Sequence, residues 1–397
     1  MSASVTPRDT TSAKTLTLAA YASFLPIGVV TVLLGPMLPT LSARWSLSYS
    51  QAGALFNAQY LASTVCTLLS GILVARWGFR FAMKSGLLLA TAGLVLLLAG
   101  SKLLGIVCIA AYGGGLGLAV PAANLLVAEV NPGRRAATLN LLNFCWSAGA
   151  VSCPFLVAIA TRMHHVPLLL GFIAACLLLV LCGIAFMPSS IVEPPVSRSA
   201  SVTKGLGINW RHPSVPALAA LFFIYVGVEN AFGGWVATYS KSLGRMTPTM
   251  SLMTPSFFYA ALTLGRWLAP LFLRWINDIR LVQAGLVVAC MGMGGLMLSH
   301  ALPGVIASAC LAGLGLSSVY PITISFLSRE FGRAASRIGS VMFTLSNLGG
   351  GLFPWIVGVL SSHFGTLKAG LAVPLIGSTV MYILYLRHWQ PESAEPA

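Results

Sequence analysis

Twelve apolar runs of about 20 to 25 residues, separated by short polar breaks, leave this chain little choice of fold. At about 1.5 Å of rise per residue, a helix of that length crosses a hydrocarbon core of roughly 30 Å. Lipid offers no partner to a backbone N–H or C=O, so each run must satisfy its own main chain as a helix. The predicted spans are 17–41, 51–75, 82–100, 103–128, 136–160, 166–187, 216–240, 250–274, 281–299, 302–327, 337–361 and 367–387. Charged residues make up only 8% of the chain, against about 25% in soluble domains. The expected fold class is therefore an all-α integral membrane protein of twelve transmembrane helices. The first run is too long for a cleavable signal and lacks a small-residue cleavage pattern, so it is expected to persist as the first helix.

The net charge of +15 does not point to nucleic acid, because the basic residues are spread through the loops and alternate in density. With the N-terminus in the cytoplasm, sixteen of the 23 Lys and Arg fall on that side and six outside, counting those at span ends with the loops, and Arg266 is the one well inside a span. By the positive-inside rule both termini are predicted cytoplasmic. This places the chain in a cell membrane, the inner membrane if the source is bacterial. The eight cysteines all fall inside predicted helices with no CxxC pair, and His164, His165, His300 and His363 fall in outer loops. No metal, cofactor or disulfide framework is expected from that pattern.

Residues 188–215 carry Pro188, Glu193, Pro194, Pro195, Arg198, Lys204, Arg211 and Pro213, a polar linker that divides the spans six and six. The expected domains are a first bundle over 1–187, the cytoplasmic linker 188–215, and a second bundle over 216–397. The halves repeat at an offset of 200: Gly113 with Gly313, Gly115 with Gly315, Pro121 with Pro321, Gly149 with Gly349, and Pro154 with Pro354. Parallel repeats put a solute path at the interface between halves, near the midplane. The same glycines equally suit close helix packing.

Of eight acidic residues, Asp9, Glu193, Glu392 and Glu395 lie in tails or the linker, and Glu129, Asp278 and Glu330 at span ends. Glu229 is the one acid well inside a span. A carboxylate there costs about 2.5 to 3.5 kcal/mol on insertion scales, so it is expected to face a cavity, a partner or a solute. Tyr225 precedes it by one turn on the same face. Glu229 reads as a hydroxyl acceptor for solute or a proton-coupling group, or else as a structural acid that is permanently neutral or paired with Arg. Arg266 reads as a residue bound to backbone carbonyls or to an acid in a gate, ahead of a partner for Glu229 or for solute. Asn143, Trp146 and Ser147 share one face of helix 5, and Ser147 maps onto Asn347 at the 200-residue offset. Amides both donate and accept, and an indole presents a flat apolar face, which suits a sugar. Helix-to-helix bonding is the alternative for these four. Asn57, Gln59, Asn124, Asn230, Trp235, Tyr259 and Tyr320 are further solute-contact candidates. Glu129 with Arg134 and Arg135, and Arg329 and Glu330 with Arg333, sit at matching cytoplasmic ends and are candidate gate charges together with Arg76.

The stretch Gly71-Ile-Leu-Val-Ala-Arg76-Trp-Gly78-Phe-Arg80 resembles the loop signature of the major facilitator superfamily, with Ala75 where that family usually has aspartate. Three stretches resemble its fucose-proton symporter branch: Tyr225-Val-Gly-Val-Glu229 with Trp235 and Tyr239; Leu264-Gly-Arg266 with Arg274; and Tyr320-Pro321 with Ser346-Asn-Leu-Gly-Gly-Gly351, Pro354 and Gly358. Asn140 and Asn143 match more weakly. Acidic residues that serve coupling and sugar binding in that branch fall at Gly35 and Ala119 here, and neither can carry a proton. The resemblance implies two six-helix bundles and a small polar solute, a sugar, as substrate.

The leading expectation is a monomeric secondary transporter in the lipid bilayer, working by alternating access, with Glu229 as the group that could couple protons. An efflux carrier for amphipathic drugs or lipids is the alternative, suited by nineteen Phe and thirteen Met. A membrane enzyme would need converging catalytic groups at bilayer depth, and one acid does not supply them, so no enzymatic activity is expected. A receptor role is the least favoured.

Overall fold

The computed structural model describes residues 7–97, 101–188, 212, 214–331 and 335–389. Among them the regular structure is helical, with no strand. The helices are α1 (Pro7–Val32), α2 (Leu34–Trp45), α3 (Tyr49–Trp77), α4 (Phe79–Leu96), α5 (Lys102–Val130), α6 (Arg135–Arg162), α7 (Val166–Ala185), α8 (Ser214–Ser242), α9 (Pro248–Phe272), α10 (Asp278–Leu298), α11 (Leu302–Leu316), α12 (Val319–Phe331), α13 (Ala335–Phe364) and α14 (Leu367–His388). Taking α11 and α12 together, eleven segments are long and apolar enough to cross a membrane. The twelfth expected span is α9, whose hydropathy is lowered by Thr, Ser, Pro and Arg266.

Two expected spans are broken rather than continuous. Helix 1 is interrupted at Leu33 and helix 10 at Ser317 and Ser318. At both breaks the main chain tightens to an i to i−3 bond, Leu33 N to Val30 O at 3.4 Å and Ser317 N to Leu314 O at 3.3 Å. A proline is the third residue of each following segment, Pro36 in α2 and Pro321 in α12. With no N–H, Pro36 cannot bond the Val32 carbonyl nor Pro321 that of Ser317, while both rings are tolerated in a first turn. At the second break the Ser317 hydroxyl donates to the Leu314 carbonyl at 2.6 Å. Pro121, the counterpart of Pro321, lies inside the unbroken α5.

The chain forms two compact units, Met1–Leu33 with Ala58–Ser201 and Leu34–Asn57 with Val202–Ala397. The first boundary coincides with the helix 1 break. In the first unit Gly149 of α6 lies against the Leu25 carbonyl of α1 so closely that a Cβ would collide with it. Gly113 of α5 does the same against Gln59 of α3, and Gly115 against Gly86 and Ala90 of α4. In the second unit the offset partners make the equivalent crossings. Gly349 of α13 meets the Phe223 carbonyl of α8, Gly313 of α11 the Phe258 carbonyl of α9, and Gly315 Gly285 and Ala289 of α10. Lipid gives helices no hydrophobic reason to associate, so these backbone contacts carry the packing.

Within the second unit, the segment 34–57 packs on α8 and α13. Gly35 meets Gly234, Gly53 meets Pro354 and Trp355, and Gly358 meets Tyr49. Tyr49 stands edge-on to Trp235, ring centroids 6.2 Å apart.

Candidate functional site

Glu229 lies near the middle of α8, and its side chain is 12% exposed. Its ion-pair partner is Arg266 of α9, with Nη2 3.8 Å from Glu229 Oε2 and 26% of the Arg266 side chain exposed. The same Nη2 donates to the Tyr225 hydroxyl at 3.2 Å. Tyr225 in turn stacks on Tyr320 of α12, centroids 5.1 Å apart and planes 29° from parallel, and Phe222 meets Tyr320 edge-on at 5.5 Å.

The local sequence helps explain why these groups meet. Gly265 has no side chain, so α9 closes on Ser317 at the helix 10 break, where a Cβ would collide with the Ser317 hydroxyl. Arg266, the next residue, reaches Glu229 and Tyr225 of α8. The break also starts a new segment at Val319, whose second residue is Tyr320. Tyr225 and Glu229 then share a face by their i, i+4 spacing. A charged pair at this depth is costly to desolvate, and each charge depends on the other to remain. At 3.8 Å the pair attracts without a direct hydrogen bond, and the buried Arg266 Nε has no protein partner. The group can therefore offer donors from Arg266, an acceptor from Glu229, and an aromatic wall from Tyr225, Tyr320 and Phe222.

The structure places Arg266 against Glu229 and Tyr225, where the sequence favoured backbone carbonyls or an acid in a gate. The 37-residue separation from Glu229 hides the fact that α9 and α8 face each other at that level. Gly35 and Ala119, where the resembled branch has acids, are both closed packing positions: Gly35 lies on Gly234, and Ala119 is 1% exposed against Gly86. An acid would not fit either contact.

A second polar group lies in the first unit. Gln59, 2% exposed, donates from Nε2 to the Thr31 carbonyl at 3.1 Å and accepts at Oε1 from the Tyr112 hydroxyl at 3.2 Å. Trp146 Nε1 donates to Thr31 Oγ1 at 3.3 Å. Thr31 and Tyr112 were absent from the sequence-derived candidates. The signal available was a threonine five residues ahead of Pro36, inside an apolar span.

The remaining candidates are dispersed. Asn143 is exposed and donates to its own helix at Leu139 O, 2.9 Å away; Asn124 donates likewise to Val120 O at 2.9 Å and Asn230 to Val226 O at 2.8 Å. Ser147 is buried, and Asn347 and Asn57 are half-buried. Tyr259 is buried with its hydroxyl against Gly233. Trp235 is fully buried, its N–H bonded to the Pro354 carbonyl at 2.9 Å, so here it serves the α8–α13 contact. Of the candidate gate charges, Arg76, Arg134 and Arg135 are exposed and Glu129 is half-buried. Arg329 pairs with Asp278 at 3.3 Å, and Glu330 accepts from Trp389 Nε1 at 3.0 Å. Both contacts are internal to the second unit. Arg333 and most of the linker lie outside the described residues.

Comparison with known proteins adds a family match: the model described as Major Facilitator Superfamily matches residues 20–354. The chain is 24% identical over 383 residues to a glucose/galactose transporter of Brucella abortus biovar 1 (strain 9-941), covering 89% of each protein. It is 21% identical over 406 residues to sodium-dependent glucose transporter 1A of Mus musculus, covering 92% of this chain and 94% of that one. It is also 24% identical over 380 residues to the multidrug efflux protein YfmO of Bacillus subtilis (strain 168), covering 87% and 85%. Among solved structures, a D-xylose-proton symporter superposes with a TM-score of 0.76 at 17% identity, covering 96% of this chain and 98% of that one. A single-residue variant of the E. coli fucose:proton symporter FucP superposes with a TM-score of 0.63 at 19% identity, covering 94% and 98%.

Proposed function

From the premise that this chain belongs to the Major Facilitator Superfamily, and is a multi-pass membrane transporter rather than an enzyme, we propose that it carries a sugar in symport with a proton. The two six-helix bundles, 1–187 and 216–397, alternate access around the solute, with both termini in the cytoplasm and the charged span ends acting as gates. Glu229 is the proton site. The observation that carries this reading is the Glu229–Arg266–Tyr225 cluster, in which an acid and a base meet well inside two spans. Unprotonated, Glu229 attracts Arg266. A proton on the carboxyl cancels that attraction, and Arg266 and Tyr225 become available to solute hydroxyls. Sugar-transporter relatives support the solute class.

The test is accumulation by purified protein in proteoliposomes under an imposed pH gradient, using radiolabelled D-glucose, D-galactose, D-xylose and L-fucose. At least one is expected to accumulate, and Glu229→Gln is expected to lose accumulation while keeping counterflow. Normal accumulation by that variant removes Glu229 from the coupling role. The YfmO similarity favours a second reading as an efflux carrier, which ethidium extrusion without transport of any sugar would select.

A further inference from the structure

We propose that Thr31 is a solute-binding, specificity-determining residue, the first unit's counterpart of Glu229. This rests on the reading that Glu229 borders the solute route.

The glycine crossings fix the correspondence, which on these two helices runs at an offset of 198 residues rather than 200. Gly149 crosses α1 at Leu25, and Gly349 crosses α8 at Phe223. Six residues on from Leu25 is Thr31, and six on from Phe223 is Glu229. Two helices crossed by equivalent partners at equivalent points, then followed for the same six residues, present those residues on corresponding faces. Where one unit has a carboxylate, the other has a hydroxyl.

The surroundings of Thr31 suit a ligand contact. From Pro26 to Pro39 every residue is buried except Thr31. The one side chain of this stretch that reaches open space is therefore polar, in a segment otherwise given to packing. Its hydroxyl donates to the Ile27 carbonyl at 2.7 Å and accepts the Trp146 N–H at 3.3 Å. A hydroxyl oxygen has two lone pairs, so one acceptor position remains, and the Trp146 bond is long enough to yield to a shorter one. The main chain beneath is fixed from behind, because Gln59 spends one end of its amide on the Thr31 carbonyl and the other on Tyr112. Gln59 is thus a positioning residue, holding Thr31 at the helix 1 break.

A neutral hydroxyl selects for neutral polyhydroxyl solutes: it adds a hydrogen bond without adding charge to the route. Loss of one such bond is a modest effect, about tenfold in affinity.

Two measurements on the full-length protein in proteoliposomes decide it. Thr31→Cys is treated with a membrane-impermeant methanethiosulfonate, and peptide mass spectrometry distinguishes position 31 from the native cysteines. Modification at 31 is expected, and its absence overturns the proposal, since a solute contact must meet water. In counterflow of radiolabelled sugar, Thr31→Val is expected to raise KM about tenfold with little change in maximal exchange rate, and Thr31→Ser to restore it. An unchanged KM in Thr31→Val overturns the proposal as well. If no sugar of the panel is carried, the sugar reading fails, while labelling of Thr31→Cys still decides whether Thr31 borders an aqueous route.

Discussion

Helices α1 and α8 are crossed at matching glycines, yet six residues past the crossing one carries Thr31 and the other Glu229. Around Thr31 the partners are neutral: Gln59, Tyr112 and Trp146. Around Glu229 they are Arg266, Tyr225 and Tyr320. The repeat has kept the backbone contacts and let the side chains diverge, because a helix crossing tolerates no Cβ whereas the groups beyond it face fewer constraints. One unit is thus equipped to hold a charge and the other to make uncharged hydrogen bonds.

That contrast can be broken or sharpened by mutation. The largest stability effect is expected from Arg266→Met, which strips the partner from Glu229. Breaking a buried ion pair costs about 3 to 5 kcal/mol, and the partial exposure of Arg266 points to the low end. Thermal unfolding in detergent should show the loss, and Glu229→Gln in the same chain should recover part of it. If the double variant is no more stable than Arg266→Met alone, the two charges do not depend on each other.

Gly149→Ala and Gly349→Ala come next. Each forces a methyl into a backbone carbonyl, and overpacking of this kind costs about 1 to 3 kcal/mol. The equivalence of the units predicts similar drops in unfolding temperature, so a large effect in only one would show that the crossings are not matched in energy. Gln59→Leu should cost about 1 to 2 kcal/mol by leaving the Thr31 carbonyl and the Tyr112 hydroxyl without partners. An unaltered unfolding temperature would mean that Gln59 does not secure the helix 1 break. The smallest effect belongs to Arg329→Ala, under about 1 kcal/mol, because its pair with Asp278 is exposed. A larger loss would mark that cytoplasmic contact as structural.

The spans and the repeat were legible because both are written as spacing: runs long enough to cross lipid, and glycines returning at 200 residues. The breaks at Leu33 and at Ser317–Ser318 were not. Proline is also found inside unbroken α5, α6 and α13, so its presence alone does not predict an interruption. The pairing of Glu229 with Tyr225 follows from one helical turn. The meeting of Glu229 with Arg266 depends on how α8 and α9 face each other, a pairing of residues 37 positions apart that no helical spacing encodes. Thr31 carries no such signal, because a lone threonine in an apolar span has no periodic partner. Its place becomes visible only once the glycine crossings align the two units.

The most direct measurement is of protons rather than solute. Proteoliposomes loaded with a pH-sensitive dye are given an inward gradient of a carried sugar, with wild type, Glu229→Gln and Thr31→Val compared side by side. Wild type and, at saturating sugar, Thr31→Val should acidify the lumen as sugar enters, and Glu229→Gln should exchange sugar with no proton signal. Sugar-driven acidification that survives in Glu229→Gln would contradict the assignment of the proton to that carboxylate.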